Sequence, residues 1–122
     1  MKLRIRGQSV RFRLSPNDID ALGRGETVKE TLSFGAEASF VYGLVPADIS
    51  HVAVEAGGAG LLVLCPKPMV TTLVETDEVG FERTIPGPGS SGLTVLVEKD
   101  FQCLIPRGED DGNTFPNPNA TP

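Results

Sequence analysis

Lys2-Leu3-Arg4-Ile5-Arg6-Gly7-Gln8-Ser9-Val10-Arg11-Phe12-Arg13-Leu14 is the stretch that decides the fold. Apolar and polar residues alternate with period two on both sides of Gly7-Gln8, which predicts two strands with one apolar face each. A two-residue type II′ turn wants glycine first, where φ must be positive. That turn pairs Arg6 with Ser9, Ile5 with Val10, Arg4 with Arg11, Leu3 with Phe12 and Lys2 with Arg13. A loop one residue longer would pair Arg6 with Val10 and mix the two faces unless a bulge corrected it. The chain is therefore expected to open with a hairpin that is apolar on one side. The other side carries Lys2, Arg4, Arg6, Arg11 and Arg13, a proposed site for an anion or an acidic segment.

The 122 residues suit one domain, with ordinary hydrophobic (39%) and charged (22%) content. Fourteen Gly, ten Pro and no Trp point to a turn-rich β protein rather than a helical bundle. The net charge of −5 argues against non-specific binding of nucleic acid. The cations are nevertheless concentrated: five of the eleven Lys and Arg fall in the first thirteen residues, where there is no acid. The N-terminal residues alternate instead of forming the apolar run of a signal peptide, and no stretch approaches a membrane span. Cys65 and Cys103 are expected as reduced, buried thiols of a cytoplasmic protein, a disulfide being the alternative.

Beyond the hairpin, Ser15-Pro16 reads as an N-cap followed by proline at the first helical position, with Asp18 and Asp20 near the helix start. Gly23 and Gly25 should end this helix after about two turns. Glu26 to Phe34 is expected to be extended, with Val28, Leu32 and Phe34 on one side, and Phe40 to Leu44 follows as another strand. The second half repeats the plan. His51 to Ala56 and Leu61 to Cys65 are strands, Pro66-Lys67-Pro68 opens a helix, and two strands follow at Val79 to Ile85 and Leu93 to Glu98.

A displacement of 51 residues places Leu3 on Val54, Gly7 on Gly58, Val10 on Leu61, Leu22 on Leu73 and Val28 on Val79. Two extra residues in the following loop would keep Phe40 to Leu44 on Leu93 to Val97. The expected fold is α+β: about eight short, mostly antiparallel strands and two short helices in a pseudo-duplicated curved sheet or barrel. An open two-layer sheet is the alternative. The globular domain is assigned to residues 1–105, with halves 1–47 and 48–100. Residues 106–122 are expected as an acidic, then Pro/Asn-rich arm.

The same displacement sets Lys2, Arg4, Arg6, Arg11 and Arg13 on Ala53, Glu55, Gly57, Leu62 and Leu64. Hairpin geometry therefore does not require the cations. Glu109, Asp110 and Asp111 of the arm are proposed as their partners, within the chain or across a homodimer, and a small anionic ligand is the other candidate occupant. Leu61-Leu62-Val63-Leu64-Cys65 is apolar on both faces, so cover by the arm or by a second subunit is expected.

The opening stretch, Leu96-Val-Glu-Lys-Asp-Phe-Gln-Cys103 and Gly108-Glu-Asp-Asp-Gly-Asn-Thr-Phe-Pro-Asn-Pro118 together resemble a family of small bacterial proteins carrying only a domain-of-unknown-function label. Gln8 stands where that family is expected to have Asn. The resemblance implies no activity, cofactor or site residue.

No residues in the sequence mark a catalytic or metal site. An enzyme acting on phosphate esters inside a charge-lined barrel is the alternative to a binding domain. Such barrels, however, hold metal on a Glu-x-Glu-x-Lys strand, and here the strand reads Lys-x-Arg-x-Arg. Glu30, Glu55, Glu82 and Glu98 are scattered singly. His51, Cys65 and Cys103 lack ligand spacing. Glu109 to Asn113 lacks the alternating acids of a calcium loop, and Gly57-Gly58-Ala59-Gly60 reads as a hairpin turn rather than a phosphate loop. A non-enzymatic binding or interaction domain without cofactor is the expected function.

Overall fold

The computed structural model describes residues 1–87 and 92–101. Its elements run β1 (Lys2–Arg6), β2 (Ser9–Leu14), α1 (Pro16–Gly23), β3 (Val28–Ser33), β4 (Ser39–Ala47), β5 (Ala53–Gly57), β6 (Gly60–Pro66), α2 (Lys67–Glu75), β7 (Gly80–Ile85) and β8 (Leu93–Lys99). The opening hairpin has the register its alternation dictates, all five pairs included. Gly7 has a φ of 56° and no non-glycine residue among the described residues takes a positive φ, which fits the type II′ turn. Ser15 caps α1 reciprocally: its hydroxyl accepts from the Asp18 amide at 3.3 Å, and the Asp18 carboxylate accepts from the Ser15 amide at 2.8 Å.

The strands form two four-stranded sheets, β1-β2-β8-β7 and β3-β4-β6-β5. Neither closes, so the barrel expected from sequence is not formed and the open arrangement is the one observed. Among the described residues each sheet keeps two edge strands, β1 and β7 in one and β3 and β5 in the other. Each half contributes a hairpin to both sheets. The outer pairs are antiparallel, while the central pair of each sheet, β2 with β8 and β4 with β6, is parallel and joins residues from opposite halves. Neither half completes a sheet alone.

The repeat is visible in the register. Ser9 opposite Thr94 corresponds to Gly60 opposite Val41. Val28 opposite Leu44, however, corresponds to Phe81 opposite Val97 and not to Val79. The two extra residues of the second half therefore fall at the end of α2 and in its connection to β7, not in the loop between the last strands. Accordingly Val28 and Phe81 face the core, whereas Val79 is 55% exposed.

Val10, Phe12 and Leu14 of β2, Val95 and Val97 of β8, Leu61, Val63 and Cys65 of β6 and Leu44 of β4 meet Leu22, Val70 and Leu73 of the helices in one apolar cluster. Three apolar residues expected on buried faces stay out of it: Ile5, Leu32 and Phe34 are more than half exposed. Ile5 lies near the hairpin tip on edge strand β1, Leu32 lies at the far end of edge strand β3 and Phe34 just beyond it. Leu62 and Leu64 are half-buried on the outer face of β6. No helix among the described residues is long and apolar enough to cross a membrane.

Candidate functional site

The five cations share the outer face of the first sheet, because residues paired across strands project to the same side. Three rows cross this face: Lys2, Arg13, Glu98 and Gly80; Arg4, Arg11, Leu96 and Glu82; and Arg6, Ser9, Thr94 and Thr84. The charges of the first row are matched. Lys2 Nζ lies 2.9 Å from Asp100 Oδ2, and Arg11 Nε and Arg13 Nε lie 3.4 and 3.7 Å from the same Glu98 oxygen. Sequence reasoning looked for these partners in Glu109, Asp110 and Asp111, which lie outside the described residues. Glu98 and Asp100 belong to β8 and the residue beyond it, across a parallel pairing that no local pattern announces.

Toward the hairpin tip Arg4 and Arg6 are unmatched among the described residues. Arg4, Arg6, Ser9, Arg11 and Leu96 line a cup of about 110 Å³. Among the described residues, Arg4 and Arg6 make no ion pair, and Arg11 Nε, although buried, donates no hydrogen bond despite the nearby Glu98. The Ser9 hydroxyl closes onto the Arg6 carbonyl at 2.8 Å, tying the two ends of the turn together. Gln8 continues this bracing, its amide donating to the Gly92 carbonyl at 3.0 Å. Three guanidinium groups are thus carried on a hydrogen-bonded hairpin of fixed register around a space large enough for one oxyanion group. Such forks match carboxylate and phosphate oxygens bidentately.

The second sheet supplies a natural control. At the equivalent place Val41, Glu55, Gly57, Gly60 and Leu62 line a shallow cavity of about 400 Å³. It is wider because glycines stand where the first half has Arg6 and Ser9. The fold thus builds one cationic cup and one largely apolar hollow at corresponding positions.

The remaining candidates separate. His51 is exposed before β5, and Cys65 is a free, buried thiol in β6. Burial pushes its pKa up to about 12. Cys103 lies outside the described residues. No group of three or more His, Cys, Asp or Glu among the described residues is placed to hold a metal ion. The acidic side chains nearest the cations, Glu98 and Asp100, are engaged by them.

The sequence pattern of the family of unknown function DUF7009 matches residues 1–119. The chain belongs to this family. The match spans nearly the whole length, so the hairpin and both sheets fall within the family's own extent. No curated protein and no solved structure matches the chain.

Proposed function

We propose that this member of the family is a non-enzymatic binding domain whose opening hairpin holds an oxyanion group, a phosphate or carboxylate, in the cup of Arg4, Arg6, Arg11 and Ser9. The observation that carries this reading is the unequal neutralisation of one continuous cationic face. Its far end is matched by Glu98 and Asp100, whereas its tip presents Arg4 and Arg6 without an acidic partner among the described residues. Like charges set opposite each other cost about 0.2–1 kcal/mol per pair, so an anion between Arg4 and Arg11 would relieve a strain built into the hairpin.

The acidic run Glu109-Asp110-Asp111 offers the same chemistry from within the chain or from a second copy, and the latter exchange would make a homodimer. Titration of the full chain with inorganic phosphate and with an acidic peptide, at low and high salt, tests the proposal. Binding should fall on Arg4→Gln and Arg11→Gln. If the arm is the resident occupant, neutralising Glu109, Asp110 and Asp111 to amides should raise affinity for both probes. Sedimentation of the same variants reports whether the exchange is between copies. Failure of both probes to bind either form would sink the proposal.

A further inference from the structure

The two halves differ most at the place where each helix meets the strand that follows it. In the first half α1 packs against β3, and the corner is filled by Met1: its α-ammonium lies 2.9 Å from Asp18 and 3.0 Å from Glu30. In the second half the two additional residues, at the end of α2 and in its connection to β7, carry β7 away from the helix. A groove of about 450 Å³ opens between them, lined by Met69, Thr72, Leu73, Glu78, Phe81 and Arg83. Met69 stands where the first half has Asp18, and Arg83 stands where it has Glu30. The corner that takes a cation in the first half is remade, in the second half, with a thioether and a guanidinium. A further cavity beside Val52 and Ile85 meets this groove at Met69 and Arg83.

From this arrangement we propose that the α2–β7 groove is a binding site for a small amphipathic monocarboxylate. The site is separate from the hairpin cup and independent of its reading. Arg83 projects from an edge strand on the same side as Phe81 and Ile85, so its guanidinium sits at the rim of an apolar floor. Among the described residues it donates from Nη1 to the Glu82 carbonyl at 2.7 Å, which leaves other donors of the fork for a carboxylate. Met69, Leu73 and Phe81 offer the ligand body a deformable apolar bed, for which a thioether is well suited. Thr72 is already satisfied, donating to the Pro68 carbonyl at 3.0 Å. Glu78 lines the groove without pairing with Arg83, and it repels a second negative group on the ligand. The selected chemistry is therefore one anionic end and a neutral, apolar remainder, in a space typical of small-molecule pockets.

The chain has two methionines, one in each corner, so the labelled methyl groups give both a probe and its control. In the full chain carrying ¹³C-methyl methionine, octanoate should shift the Met69 signal saturably and leave Met1 unmoved. Arg83→Gln, a change at an exposed side chain, should weaken binding at least tenfold. Suberate, with a carboxylate at both ends, should bind at least fivefold more weakly than octanoate, and Glu78→Gln should narrow that gap. The proposal is overturned if Met69 stays unmoved at millimolar octanoate, if Met1 and Met69 shift together, or if Arg83→Gln binds as tightly as the parent.

Discussion

Arg11 and Glu98 lie on neighbouring parallel strands from opposite ends of the chain, with Arg11 Nε 3.4 Å from Glu98 Oε1. Arg13 reaches the same oxygen at 3.7 Å. One carboxylate thus restrains two of the hairpin's cations and limits how much positive field the cup receives. Glu98→Gln should raise phosphate affinity several-fold at low ionic strength, with the gain shrinking as salt is added. It should also cost about 0.5–1 kcal/mol of stability, because Arg11 and Arg13 lose their shared counter-charge in a half-exposed site. Calorimetric titration and thermal melts of one pair of proteins measure both. A variant with unchanged affinity would detach Glu98 from the cup.

The α1 cap gives a pH-dependent prediction. Burial works against the charged Asp18 carboxylate, but hydrogen bonds from the Ser15 amide, the Met1 ammonium and the Ser15 hydroxyl outweigh it and lower its pKa. A carboxyl with a depressed folded pKa contributes stability above its unfolded value, near 4, and loses it as pH falls through the folded one. Asp18→Asn should therefore destabilise by about 1–2 kcal/mol at pH 7. The difference from the parent should begin to shrink as the pH falls below about 4 and close only once it has passed below the lowered folded pKa, where both side chains are neutral. Denaturant melts of the two proteins at pH 7, 5 and 3 trace the closure.

The hairpin was legible from sequence because both of its determinants are local: period-two alternation and a glycine at the turn. The same holds for the Ser15 cap and for the order of elements. What escaped is set by pairings far apart in the chain. Nothing near Arg11 predicts Glu98, since the β2–β8 pairing arises from exchange of hairpins between the halves. Val79 took the place of Phe81 in the sequence alignment because the extra residues could not be located without the register. Leu32 and Phe34 match the apolar pattern of a strand but extend beyond the core that pattern would serve.

Exchange of hairpins has a consequence for cooperativity. Phe12 lies opposite Val97, both fully buried, in a pair that unites the first and last strands of the core. Phe12→Ala should cost about 3–5 kcal/mol. Unfolding should stay a single transition, because neither half can keep a sheet when the central pairing fails. Far-ultraviolet dichroism and Tyr42 fluorescence, the latter reporting from β4 in the other sheet, should give coincident denaturation curves. Two separated transitions would show that the halves fold apart.

Close backbone approach makes Gly60 a sharper test of the second sheet. A Cβ at this position would run into the Val41 carbonyl oxygen, on the parallel strand beside it. The obstacle is main chain and cannot rotate aside, so Gly60→Ala must push β4 and β6 apart or twist them. We expect a loss of about 1–3 kcal/mol, the cost of overpacking. Gly57→Ala, on the facing strand of the same hairpin with open space around its Cβ, should be nearly silent and serves as the control. The hollow between Leu62 and Glu55 should deform in the first variant only, which amide chemical shifts along β4 and β6 would report. Equal stability of the two alanine variants would mean that the strands separate more freely than this approach implies.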